Sequence, residues 1–156
     1  MRTVIVLLLL SLALPALGQD DPKLKKELQQ LFGRLTALET RLNALKKHEK
    51  TSDFRGDEAV WQAQDAQVEA LKKDCNTLSR DLRQVGSKLP PQGSSLGPVY
   101  GNLSRAVDNY DAWLRAQGSY LFLGKGSDLK AAEAGVARLQ AEYKSIRDQV
   151  AASLKK

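Results

Sequence analysis

One cysteine and one histidine are all that the chain offers in 156 residues, and that scarcity excludes whole classes of chemistry. With Cys75 and His48 as the only thiol and imidazole, no four-ligand zinc site of Cys and His, no iron–sulfur cluster and no intramolecular disulfide can form. A serine or cysteine hydrolase triad would have to run through His48. That residue sits among lysines beside Glu49, with no carboxylate or serine pattern around it to orient an imidazole. It reads as a solvated surface residue.

Strand-like alternation of useful length is missing, and so is any long apolar run after the first twenty residues. The one long run, Val4 to Leu14, follows Met1-Arg2-Thr3 and leads into Ala16-Leu17-Gly18. A basic start, an aliphatic stretch and small residues at the cleavage positions form a signal-peptide pattern, with cleavage expected after Gly18. The run is short for the ~20 apolar residues of a membrane span. Asp20, Asp21 and Pro22 follow it in place of a basic flank. The expected product is secreted or periplasmic, starts at Gln19, and has no transmembrane span.

Charge of one sign is not in large excess. Lys and Arg number 24 against 18 Asp and Glu, a formal +6, which becomes +5 once residues 1–18 with their single Arg2 are removed. Both signs are interleaved along the chain, so no stripe for nucleic acid is indicated. The stretch from Lys23 to Lys50 is the most basic, with eight Lys and Arg against three Glu. It is the best candidate for contact with an anionic surface, set against an ordinary solvated helix face.

What the chain does have is leucine at regular intervals. Asp21 and Pro22 open a first helix, because the Asp carboxylate accepts from free N–H groups and Pro lacks a donor where none is needed. Leu24, Leu28, Leu31, Leu35, Leu38, Leu42 and Leu45 then alternate steps of four and three. This heptad seam runs for ~33 Å and has the geometry for gripping another helix. Lys46, Lys47 and Lys50 are expected in the helix's last turn, where cations suit the carbonyl end of the macrodipole.

A second seam runs through Trp61, Gln64, Val68, Leu71, Cys75, Leu78, Leu82, Val85 and Leu89, with Asp57 as its expected cap. Its register is two residues out of step with the first. A helical hairpin through 51–57 is therefore favoured over one long helix broken near Gly56. Pro90, Pro91 and the Gly/Ser stretch to Gly97 end that helix. A third helix is expected from Pro98 to Gly118, with Val99, Leu103, Ala106, Tyr110 and Trp113 on one face and Val107 and Leu114 widening it. Tyr120 to Leu123 are expected to pack across one end of the bundle. Ser127 is expected to cap a fourth helix with Leu129, Ala132, Val136, Leu139, Tyr143, Ile146 and Val150 inward.

The predicted fold is all-α: four amphipathic helices, 22–50, 57–89, 98–118 and 127–155, forming a helical bundle or two antiparallel coiled-coil hairpins after a signal peptide. The expected division is signal peptide 1–18, leucine-heptad hairpin 19–89, linker 90–97 and second helical pair 98–156.

Chemistry-bearing motifs are weak. Gly124-Lys125-Gly126-Ser127 lacks the spacing of a nucleotide loop. Asp108 and Asp111, and Glu69 with Lys73, are ordinary helix-surface pairs. Asn102-Leu103-Ser104 matches a sugar acceptor, a match with little weight on an amphipathic helix. Trp61, Trp113, Tyr110, Tyr120 and Phe122 read mainly as core, with interface anchoring as the alternative. Cys75 occupies a seam position in an exported chain, so a buried thiol and a symmetric interchain disulfide are both open.

These features point away from an enzyme and from any cofactor or metal. They point to an exported protein that works by contact, with the seven leucines from Leu24 to Leu45 as its interface and a second copy or a partner helix as its partner. The alternative is an amphipathic carrier that binds lipid or an anionic surface through the third-helix stripe and the Tyr120–Leu123 turn.

Overall fold

A computed structural model describes residues 21–124, 126 and 128–155. The signal segment 1–18 and the Ser127 cap lie outside the described residues. Four helices make up the fold, α1 Pro22–Ala44, α2 Phe54–Gly86, α3 Leu96–Leu121 and α4 Leu129–Leu154, with no strand among the described residues. The chain is an all-α four-helix bundle.

Asp21 caps α1 as its chemistry requires, its carboxylate accepting from the Lys23 N–H at 2.9 Å with Pro22 at the first helical position. α1 and α2 run antiparallel, and three ion pairs fix their register: Glu27 with Lys88 at 2.9 Å, Arg34 with Asp81 at 2.7 Å, and Arg41 with Asp74 at 2.6 Å. The partners step by one heptad up α1 and down α2. This is the flank of an antiparallel coiled coil, with the leucine seam between the helices. The pairs are largely exposed, so each is worth only about 0.2–1 kcal/mol. Their larger effect is on register.

α3 returns antiparallel to α2, and the two meet where glycine leaves room. A Cβ on Gly118 would lie 3.0 Å from Val68, and one on Gly86 would run into the Tyr100 ring. α4 returns along α3 and also touches α1, whereas no α2 Cα comes within 8 Å of an α4 Cα. Both helical pairs share one core, in which Tyr110, Trp113 and Tyr143 pack ring on ring with centroids 5.5–5.9 Å apart.

Helix ends differ from the sequence expectation in instructive ways. α1 stops at Ala44, not at 50, although nothing between 45 and 50 breaks a helix. Tertiary contacts hold this segment out of the helix: Leu45 is buried, the Lys46 carbonyl accepts from Gln64 Nε2 at 2.7 Å, and His48 is tied to Asp57. α2 starts at Phe54 with Asp53 at its cap position, and ends at Gly86 rather than 89. Asp57 therefore does not cap α2. α3 begins at Leu96, where Ser94 Oγ accepts from the Leu96 N–H, and it passes through Gly118 to Leu121 because that glycine faces Val68 inside the bundle. α4 has Asp128 at its cap position.

Candidate functional site

The seven seam leucines lie inside this chain, 0–7% exposed, packed in the core that α1 shares with the other helices. The third-helix stripe, Val99, Leu103, Ala106, Val107, Tyr110, Trp113 and Leu114, is likewise buried. In the closed bundle neither surface is open to a partner. Cys75 is 2% exposed on the α2 seam, and its thiol is pushed up to about 12, first by burial and then by the Asp111 and Asp108 charges. It is a buried small hydrophobe with little thiolate character, and its sulfur does not reach the surface.

One end of the bundle is different. Three residues beyond the Arg41–Asp74 pair, at Ala44 and Leu71, α1 stops while α2 continues back to Phe54. On the opposite side α4 continues to Leu129, with no fully buried residue before Tyr143. Past the end of α1, the non-helical segment 45–51 and the α3 end at Tyr120–Leu123 line the space between them. A single non-helical segment fills less space than a helix, and a cavity of about 760 Å³ remains there. Its apolar wall is Trp61, Tyr120, Leu121, Phe122, Leu123 and Leu129, and the polar part of its lining is Lys47, His48, Glu49, Lys50 and Thr51.

Each polar group is placed by a specific bond. Lys47 Nζ donates to the Tyr120 carbonyl at 2.9 Å and to that of Leu123, and lies 4.9 Å from the Tyr120 ring centroid. The lysine does complement a helix's carbonyl end, but that of α3 rather than of its own helix. Lys50 Nζ sits 5.7 Å over the Trp61 ring, with no carboxylate partner among the described residues. His48, expected as a free surface residue, instead places Nε2 2.7 Å from Asp57 Oδ1 and packs edge-on to Trp61.

Asp57 is 1% exposed and also accepts from the Thr51 N–H at 2.9 Å and the Thr51 hydroxyl at 2.9 Å. Its pKa is held below the usual carboxylate value, chiefly by the His48 bond and also by those from Thr51, against an opposing push from burial. The signal missed in the sequence was the short spacing of His48, Thr51 and Asp57 across a turn.

A second buried carboxylate, Glu39 at 6% exposure, joins α1 to α4. It accepts from the Tyr143 hydroxyl at 3.0 Å and from Arg147 at 2.5 Å. The Arg147 guanidinium, bonded to Glu39 and Asp148, has its pKa raised. Tyr143 is raised as well, first by burial and next by the Glu39 charge. These bonds link α1 to α4, so the cluster holds α4 on α1.

Other sequence candidates are dispersed. Asp111 pairs with Arg115 at 2.7 Å, and Glu69 with Lys72 rather than Lys73. Of the basic stretch 23–50, Arg34 and Arg41 are engaged by α2 carboxylates and Lys47 by α3 carbonyls. Among the five large rings Tyr110 and Trp113 are core, whereas Phe122, 44% exposed, is surface, and Trp61 and Tyr120 line the cavity. No described helix is long and apolar enough to cross a membrane. No family model, curated protein or solved structure matches the chain.

Proposed function

We propose that the chain is an exported, non-catalytic helical protein that works by contact with another protein, and that it makes this contact with the loop end of the bundle. One observation carries the reading. The four large hydrophobic side chains exposed among the described residues are Phe54, Val60, Phe122 and Leu123, and all four lie at that end. Scattered exposed apolar residues are ordinary, but a grouped set marks a contact surface. Phe54 stands seven residues before Trp61, on the same face of α2, so the patch runs into the cavity mouth.

The sequence had suggested the leucine seam as the gripping surface. That seam is used inside the chain, and the contact passes to the residues that folding leaves uncovered. A second copy is the first candidate partner, since two-fold pairing of one patch with itself is the commonest oligomer. Sedimentation equilibrium tests it: a concentration-dependent dimer is expected, reverting to monomer in the Phe54→Ser/Phe122→Ser double variant with helicity unchanged. A chain that stays monomeric at every attainable concentration rules out the self-contact. Export is read separately, by N-terminal sequencing of the exported product, with Gln19 expected first.

A further inference from the structure

We propose that the loop-end cavity is a binding site for a small anionic amphiphile, a monomeric single-chain carboxylate whose tail lies along the apolar wall and whose head group is held by Lys50. The site is for a small molecule and goes beyond the contact reading, since it needs no protein partner.

Four features support it. At about 760 Å³ the cavity has the size of a small-ligand site, for which 300–1,000 Å³ is usual. Its wall supplies Trp61, Phe122, Leu123 and Leu129, apolar surface for an aliphatic chain. The helix framework leaves it open, because no α2 Cα comes within 8 Å of an α4 Cα and α1 has already ended at Ala44. Its charge is complementary to an anion. Lys50 carries no ion pair among the described residues, and Lys47 has two of its three donors on α3 carbonyls and one remaining. His48 is engaged by Asp57, and Glu49 is the one carboxylate on the lining. An exposed ammonium beside an indole ring at the cavity mouth can form a charge-assisted contact with a carboxylate.

The charge pattern gives the proposal two opposite signs to test. Decanoate below its micellar concentration is titrated into the purified full chain, with binding read by calorimetry and by tryptophan emission. Trp61 lines the cavity and Trp113 is buried in the core, so the emission change should come from Trp61. Saturable one-site binding is expected, weakened about tenfold by Lys50→Gln and tightened two- to threefold by Glu49→Gln, the scale of one charge-assisted contact. Methyl decanoate, which keeps the tail and loses the charge, should bind about tenfold more weakly. Trp61→Phe should bind but lose the emission change. Both charge variants alter exposed side chains, and unchanged circular dichroism confirms their folding.

The proposal is overturned by absence of saturable binding, by equal affinity for decanoate and its methyl ester, or by Lys50→Gln binding as the parent does. Association with phosphatidylglycerol vesicles without binding of monomeric decanoate also overturns it, because that result assigns the end to a membrane surface.

Discussion

His48 Nε2 lies 2.7 Å from Asp57 Oδ1, and the same carboxylate receives the Thr51 N–H and hydroxyl. The only histidine thus fastens the non-helical segment after α1 to the first turn of α2. Its His48 and Thr51 line the loop-end cavity, and the clasp replaces the helical turn that the sequence favoured for residues 45–50.

The clasp gives stability an acid limit. Asp57 has a folded pKa below its unfolded value of about 3.9. Its contribution is therefore complete above about pH 4 and is lost as pH falls through the lowered folded value. Urea midpoints measured from pH 2 to 6 should show the parent exceeding Asp57→Asn at pH 5–6, with the gap closing at the acid end. A constant gap across that range would mean that the carboxylate charge has no part in the clasp.

Glu39→Ala should be among the more costly single substitutions. It removes a 6%-exposed carboxylate, leaving the Tyr143 hydroxyl without its acceptor and the Arg147 guanidinium with Asp148 alone. Breaking such a mostly buried pair costs about 2–4 kcal/mol. Denaturant unfolding measures it, and Glu39→Gln, which keeps an acceptor for Tyr143, should lose less.

Cys75 should be silent in the native protein. A thiol 2% exposed and pushed up to about 12 presents almost no thiolate at pH 8. Reaction with an aromatic disulfide reagent should be slow in buffer and complete within minutes in 6 M guanidinium, and electrophoresis without reductant should give a band at monomer mass. Rapid native labelling or a dimer band would show that the seam opens.

Gly33→Ala should stabilise the protein by about 0.5–1 kcal/mol, because alanine gives up less backbone entropy in a helix interior. The position is exposed within α1, and an added Cβ meets nothing within 4 Å. Gly118→Ala serves as the contrast: its methyl presses on Val68 at 3.0 Å, which offsets the same propensity gain. Thermal midpoints compare the two.

Much of the core could be read from spacing, and the site could not. Leu28, Leu35 and Leu42 repeat every seven residues and are fully or almost fully buried, as heptad geometry requires. The Glu27, Arg34 and Arg41 ladder was equally available in the sequence. It becomes visible only when α1 is laid antiparallel to α2, where Lys88, Asp81 and Asp74 step the other way. Residues 45–50 carry no breaker and are still not helical, because long-range bonds from Gln64 and Asp57 outweigh a weak local preference. Phe122 reads as core by composition, but α3 continues past Gly118 and carries it out to the surface.

The sequence by itself determined that this protein is four amphipathic helices: apolar side chains every three or four residues must be covered, and only a helix puts them on one stripe. Which stripes cover one another was decided by the tertiary structure, which closed the leucine seam within the chain. The same closure set α1 short of its neighbours, and the space left at that end holds the aromatic and cationic groups on which the functional readings rest. Stripes are local and follow from spacing, whereas a cavity depends on where separate helices end relative to each other, a relation that no local pattern encodes.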